Sequence, residues 1–565
     1  MIYSDNMISS FDIFDTCLIR KCGTPENFFD VFSLQAFNCT PQEWERQEFI
    51  VARRLTEQKL CKKKPHYNLQ DIWNAFDWTH SSLKLTAELC QLEQDLEYQM
   101  LVPVLSMRDK VIECRKRGDR IIFISDMYLS SEFLKSILRD HGFYLDGDSI
   151  YVSCECSAAK WNGDLFRYVK EKENLKSYRN WYHYGDNKIS DYKVPKKIGI
   201  RCSSINHTYT PYQLIWKKSD FSLGVKYHSI IAGLSRALRY STEWNSHIDF
   251  LVDIIAPFYC SWIYQVLENA QKRGIKRLYF CARDAYQIHK IALAMRPQFP
   301  NVEIEYVYMS RISLYNENNH DAKLAYYRQI GLATTKDDVA IVDTTTSGQT
   351  LKILNDFLVV NGYNEVTAYY YLLWNKVADI DRTKYTTQIY DQYVCQNKNF
   401  NRLLSCLFVF ENFFGLSNDQ KTIDYALNEN GNALPIFSNE LYHEDCRFLD
   451  NIDWGKIHEG VLSKYAHEYI LLGMGRFSKE IFEHIGNSTV SRFFAQPLKQ
   501  YLIALENFYF LGYGNSELYP CIKKILNPLE LVGKKRKYYW RRGCIYYTLP
   551  QWIIRLITNQ PCTNS

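Results

Sequence analysis

Twice along this chain, short β-rich apolar runs alternate with amphipathic helical stretches. That alternation admits few folds, because successive strands joined by helices pair side by side in a mostly parallel sheet covered on both faces. In the first region a half-apolar strand at 7–12 (MISSFD) precedes a helical insert over 26–100. A helix over 106–117 ending at Gly118, strand 120–125 (RIIFIS), a helix capped by Ser130 or Ser131 and reaching Gly142, and strand SIYVS follow. A helix over 164–172, strand NWYHYG and a short strand GIRCS complete it. In the second region the order is helix 255–272, strand 276–281, helix 285–296, strands 302–308 and 338–343, helix 349–360 and strand 366–373. The spacings predict a domain over 1–206 with a helical insert at about 21–104, and a second doubly wound, Rossmann-like α/β domain over 207–414. From about 415 the strand signal disappears. A mainly helical region is expected over 415–530, with helices at 456–472 and 494–510, then a basic aromatic tail over 531–565.

Composition narrows the class further. With 565 residues, 46% hydrophobic and 23% charged, the chain suits three or four folded domains and excludes a disordered or fibrous protein. Of its 68 basic residues seven lie in the last 35 positions, where no Asp or Glu occurs, so the remainder is slightly acidic. No nucleic-acid partner is expected for such a body. The tail sets Tyr538, Tyr539 and Trp540 among six cations within 534–542, followed by Trp552, Ile553 and Ile554, a pattern suited to peripheral contact with an anionic membrane. The N-terminus lacks a signal-peptide pattern, no apolar run reaches membrane-spanning length, and the 17 Cys are scattered, Cys154 and Cys156 having no second pair at zinc spacing. A cytoplasmic location, with contact at the inner face of the membrane, is the expectation.

Chemistry-bearing residues cluster at the ends of the first region's strands. FDIFDT puts Asp12 at the end of the first strand, with Asp15 and Thr16 just beyond; Ser125 ends RIIFIS; Lys160 stands in AAKWNGDLF; YGDNKISD supplies Asp186 and Asp191. All would face one crevice at the sheet's carboxyl edge. A carboxylate there can attack phosphorus, a hydroxyl and a lysine can hold phosphoryl oxygens, and further carboxylates can hold magnesium. These four elements, in this order over residues 8 to about 205, resemble the haloacid dehalogenase (HAD) superfamily of aspartate-nucleophile phosphohydrolases. The resemblance implies a HAD-like Rossmannoid parallel sheet with a helical cap. It also implies Asp12 as nucleophile, Thr16, Ser125 and Lys160 as catalytic partners, and Asp12, Phe14, Asp186 and Asp191 as the magnesium set. The family's phosphatases carry a second aspartate two residues after the nucleophile, where this chain has Phe14; Asp15 is the candidate to move the proton instead. SFDIFDT further resembles large HAD proteins of bacterial surface-polysaccharide gene sets, which implies a phosphorylated sugar or glycan precursor as substrate.

The second region ends strand 338–343 in DTTTSGQT, a hydroxyl-rich turn running into a helix N-terminus. It loosely resembles the diphosphate-ribose loop of phosphoribosyltransferases, one residue short and with Thr344 in place of the second acid. Asp343, Thr346, Ser347, Gly348 and Thr350, with Arg283, Asp284 and Arg311 from neighbouring strand ends, are the candidate substrate-binding residues. The expected function is a magnesium-dependent HAD-type phosphohydrolase working through an aspartyl-phosphate intermediate. The alternatives are a glycosyl- or phosphoribosyl-type transferase whose second domain carries the main chemistry, and a non-catalytic HAD-like scaffold.

Overall fold

A computed structural model describes residues 7–210, 213–214, 216–217, 227–242, 251–346, 348–373, 415, 417, 419–438, 448–449 and 452–485. The chain divides into two compact units, Met1–Asn245 and Ser246–Ser565, so the first runs past the boundary expected at 206.

The first unit is built on five parallel strands: β1 (Ile8–Phe11), β4 (Arg120–Ser125), β5 (Ser149–Val152), β6 (Trp181–Gly185) and β7 (Arg201–Ser204), in the order β5-β4-β1-β6-β7. Ile8–Phe11 pairs with Arg120–Phe123 on one side and Trp181–Tyr184 on the other. β1 is buried throughout and β4 at all but its first residue, as expected of strands covered on both faces. Ile122, Ile124, Leu165, Phe166, Val169 and Trp181 form the core beneath them. The chain runs from β1 out to β4 and β5 and returns to β6, so the order reverses between β1 and β6. Ligands of such sheets bind at that switch point, beyond the strands' carboxyl ends.

Four helices make the insert: α1 (Pro25–Gln35), α2 (Glu43–Lys63), α3 (Leu69–Asn74) and α4 (Thr86–Met100). Their starts are fixed locally. Thr24 caps α1 by accepting the Asn27 N–H, Glu45 reaches back to the Gln42 N–H at the start of α2, and Asn68 and Asp71 cap α3 reciprocally. The antiparallel pair β2 (Leu18–Arg20) and β3 (Leu101–Pro103) joins the insert's two ends, and α5 (Leu105–Lys116) leads back to the sheet. Ser130 caps α6 (Ser131–Asp140), and α7 (Asp164–Lys172) covers β6. A further helix, α8 (Tyr227–Ser241), packs on β2, β3 and α5. Gly233 is required there, because a Cβ at that position would lie 2.4 Å from the Gly23 N and 2.5 Å from the Cys22 C.

The second unit has a four-stranded parallel sheet, β8 (Arg277–Cys281), β9 (Glu303–Val307), β10 (Val339–Thr346) and β11 (Thr367–Leu373), in the order β11-β10-β8-β9. Helices α9 (Ala256–Lys272), α10 (Tyr286–Met295) and α11 (Gln349–Val360) accompany it; α12 (Trp454–Leu471) packs on α10, and α13 (Ser478–Ile485) on α9. The expectation that strands disappear after 415 is corrected: β12 (Thr422–Leu427) and β13 (Ala433–Phe437) form an antiparallel hairpin. The expected helix at 494–510 and the tail over 531–565 lie outside the described residues. No helix among the described residues is long and apolar enough to cross a membrane.

Candidate active site

Asp12 follows β1 directly, its N–H donating to Tyr184 O of β6 at 2.8 Å, which places its carboxylate at the switch point. The chain then turns tightly: the N–H groups of Cys17 and Leu18 both donate to Ile13 O, and Asp15 sits in the left-handed region at φ 52. Asp tolerates that region better than most residues. Lys160 reaches the same point from another strand end. Both oxygens of Asp126, just beyond Ser125, accept the Lys160 N–H at 2.9 Å and so hold its loop against β4. Asp191 arrives on a π-helical turn, Lys188–Lys193, next to Gly185. A Cβ on Gly185 would lie 2.4 Å from the Asp191 Cβ, so only glycine ends β6 without expelling that carboxylate.

These elements converge. Lys160 Nζ lies 2.5 Å from Asp12 Oδ1 and 2.7 Å from Asp191 Oδ1, and the lysine is only 3% exposed. The Thr16 hydroxyl lies 3.3 Å from Asp12 Oδ2 and 3.4 Å from Asp186 Oδ1, with one proton to give to either. Donor oxygens of Asp12, Asp186 and Asp191 all lie within 4.8 Å of one another. Three carboxylates face one ammonium. Burial, with Asp191 and Asp186 adding to it, pushes the Asp12 carboxyl well up despite Lys160. Burial, Asp15 and Asp191 push Asp186 up to about 6. At Asp191 burial is outweighed by Lys160 and His183, which hold it below the usual carboxylate range. Hard oxygen donors and surplus negative charge are what a magnesium-class cation takes, so the residues present fit such an ion. The Phe14 side chain has no donor atom, so the ligand expected from this position is its main-chain carbonyl. Its ring is instead covered by the Arg20 guanidinium, 4.7 Å from the centroid.

Further contributors lie outside the expected set. His183, fully buried on β6, receives Ser10 Oγ at Nδ1 (2.7 Å) and faces Asp191 Oδ1 with Nε2 (3.2 Å), while Trp181 Nε1 donates to Ser10 Oγ at 2.6 Å. The Trp can only donate, so a neutral His183 carrying its proton on Nε2 satisfies every link. Burial lowers the His183 pKa, in keeping with that form. Asn187 caps the Asp191 turn and donates its N–H to Asp191 Oδ2 at 3.1 Å. Arg236 of α8 donates to Asp15 Oδ1 and to Gly23 O, both at 3.1 Å, tying the Asp12–Asp15 loop to a helix more than two hundred residues away.

The cluster opens into a cavity of about 410 Å³. Asp12, Asp15, Ser125, Lys160, Asp186 and Asp191 line one end; Phe14, Arg20, Phe28, Phe29, Glu57, Glu97 and Tyr128 line the other, brought there by β2, the insert and the loop after β4. Thr16 stands behind Asp12 rather than in the wall.

In the second unit the order reverses between β8 and β10, and four of the expected residues meet there. Asp284 has Arg283 and Arg311 within electrostatic reach, and Asp343 has Asp284 and Arg311. Burial and Asp284 raise the Asp343 carboxyl to about 7, while Thr344 donates its N–H to Asp343 Oδ1 at 2.8 Å. Gly348 precedes α11 with φ 84, and Thr350 is half-buried in its first turn. Ser347 and the side chain of Thr346 lie outside the described residues. Ser310 caps the short helix Arg311–Tyr315 and donates to Thr422 O of the hairpin at 2.6 Å.

No protein-family model matches the chain, and comparison with curated proteins gives no match. Among similar solved structures is YfnB of Bacillus subtilis, assigned to the HAD hydrolases and solved with magnesium: 15% identity, TM-score 0.26, over 36% of this chain and 89% of that one. A HAD-family enzyme of Bacteroides thetaiotaomicron is similar at 14% identity and TM-score 0.28, over 37% of this chain and 98% of its own. The α/β architecture given above follows from the strand order and pairing themselves.

Proposed function

We propose that residues 1–245 form a magnesium-dependent phosphohydrolase that cleaves phosphomonoesters with Asp12 as nucleophile. One observation carries this most: a carboxylate at the switch point of a parallel sheet, paired with a buried lysine and grouped with two further carboxylates, opens into a cavity large enough for a small ester. An Asp12 oxygen attacks phosphorus, the bond to the leaving oxygen breaks, and water then attacks the aspartyl phosphate to release inorganic phosphate and free Asp12. Lys160 orients the nucleophile and offsets charge on the transferring group. Asp186 and Asp191 complete the oxygen ligand set with Asp12. A bound magnesium ion supplies neutralisation of the charge shared by nucleophile and phosphate. Asp15, a cavity-lining carboxylate on the same loop as Asp12, is the candidate to exchange protons with the leaving oxygen and water, steadied by Arg236. A sugar as the organic half is supported by the likeness of SFDIFDT to polysaccharide-associated HAD proteins.

Asp12→Asn tests the assignment. It is expected to abolish magnesium-dependent phosphate release from p-nitrophenyl phosphate with the circular dichroism spectrum unchanged; retained activity overturns the nucleophile. A ligand site at the β8/β10 switch point is a second reading, favoured by Thr344, whose buried hydroxyl has no partner among the described residues beside Asp343.

A further inference from the structure

The far end of the cavity is rich in charge, and among the described residues each guanidinium there is already paired with a carboxylate. Arg20 lines it, but Glu97 holds that guanidinium with Nε at 3.0 and 3.1 Å and Nη2 at 2.8 Å from its oxygens. Behind it Arg53 is taken by Glu93, with contacts of 3.0 and 2.7 Å, and by Glu57 at 2.9 Å. Glu93 is committed further, accepting from Trp73 Nε1 at 2.9 Å and from the Tyr128 hydroxyl at 3.1 Å. Three carboxylates thus stand against two guanidiniums, and the arginines also cover the faces of Phe14, Phe29 and Tyr128, which closes those rings to a cationic ligand.

Glu57 differs from its neighbours. Its side chain is 26% exposed and lines the cavity, whereas those of Glu93 and Glu97 are 0% and 1% exposed. Arg53 occupies Oε2 and the Tyr67 hydroxyl occupies Oε1, at 3.0 Å. A carboxylate accepts about four hydrogen bonds, so Glu57 has acceptor capacity left on the cavity side. Phe28 and Phe29 supply apolar surface next to it.

Taking the hydrolase assignment above as the basis, we propose that this end receives an uncharged, hydroxyl-bearing group, that Glu57 accepts a hydrogen bond from it, and that esters with a second anionic group are turned away. An incoming anion would meet the surplus carboxylate, with the charge of each guanidinium there already offset by a glutamate, a juxtaposition that discriminates strongly between partners. Anion rejection and hydroxyl recognition therefore come from one side chain.

The experiment compares two esters of equal size, glucose 1-phosphate and glucuronic acid 1-phosphate, by kcat/KM for phosphate release by the full chain with magnesium. The expected preference is at least tenfold for the neutral sugar, and Glu57→Gln is expected to shrink it at least threefold by slowing the neutral ester and relieving the anionic one. The wild-type ratio decides by itself should that variant fail to fold. Equal rates, or a preference for the glucuronate, overturn the inference and leave the hydrolase assignment standing. Cleavage of p-nitrophenyl phosphate with neither sugar ester touched also overturns it. Failure to hydrolyse any of the three overturns the hydrolase assignment and this inference with it.

Discussion

Lys160→Met keeps the length and bulk of the side chain while removing its charge, and so isolates what the lysine does for the cluster. Its Nζ contacts Asp12 and Asp191 at 2.5 and 2.7 Å, with the three side chains 4%, 8% and 1% exposed. Removing one partner of a buried pair typically costs about 3–5 kcal/mol, because the remaining charge is left uncompensated. For a unit of this size that is roughly 6–20 °C in Tm at neutral pH. The pH dependence fixes the sign. Removing the ammonium takes away a force that lowers both Asp12 and Asp191, so the folded variant holds more protons than the wild type and its stability falls more as pH rises. The wild-type Asp191 behaves oppositely: its folded pKa is depressed, and its contribution disappears as pH falls below the usual carboxylate range. The deficit of the variant is therefore expected to be largest near pH 7 and to narrow towards pH 4. Thermal unfolding followed by intrinsic fluorescence from pH 4 to 8 measures this. An unchanged Tm at pH 7, or a deficit that grows on acidification, refutes the account of Lys160 as the counter-charge.

Asp186, raised to about 6, gives a second pH signature in the unaltered protein: its contribution to stability is present in acid and falls as pH climbs from about 4 to 6. The ceiling is about 3 kcal/mol and the observed loss smaller because the group is partly solvated; urea midpoints at pH 4.5 and 7 should show it without magnesium and lose it with magnesium, and a slope indifferent to the ion argues against a metal at this cluster. Gly233→Ala drives a methyl into the Cys22–Gly23 backbone and is expected to cost about 1–3 kcal/mol in urea unfolding while slowing phosphate release, since α8 carries Arg236 to Asp15; unchanged stability would show that α8 can shift without consequence.

The sheets were legible because their strands are short apolar runs stopped by polar or glycine residues. RIIFIS matches β4 residue for residue, and Ser125 and Gly185 end strands as read. Asp12, Lys160, Asp186 and Asp191 could be placed at one edge because alternation alone brings strand ends together. What that pattern cannot show is which charged side chains turn inward. Arg53 and Glu93 lie in the expected helical insert, where nothing in the local pattern marks them, yet each is fully buried against the other. Arg236 acts across 221 residues of sequence on Asp15, and no local pattern encodes such a reach. The hairpin β12–β13 was missed although its signal is present: Asn430–Gly431 sits between two apolar stretches, Gly431 has φ 76, and Asn428 closes the turn with its N–H on Asn432 O at 2.9 Å.

Phe14 and the arginine network of the insert are one arrangement. With no carboxylate at position 14, the ring there offers Arg20 a face, and Arg20 in turn fixes Glu97 at the far end of the cavity. The next residue, Asp15, holds a left-handed backbone and contacts Arg236, so an acidic side chain still reaches the cavity beside Asp186, one position later along the chain. A non-glycine residue in that region costs about 1–3 kcal/mol, and such a conformation persists where its surroundings over-determine it. Here they do: Cys17 and Leu18 bond back to Ile13, α8 abuts the Cys22–Gly23 turn, and Arg236 bridges the two. The helix past residue 206 is thus part of the support of the loop that carries Asp12 and Asp15, and a fragment ending at 206 would keep the cluster while losing the residue that aims Asp15.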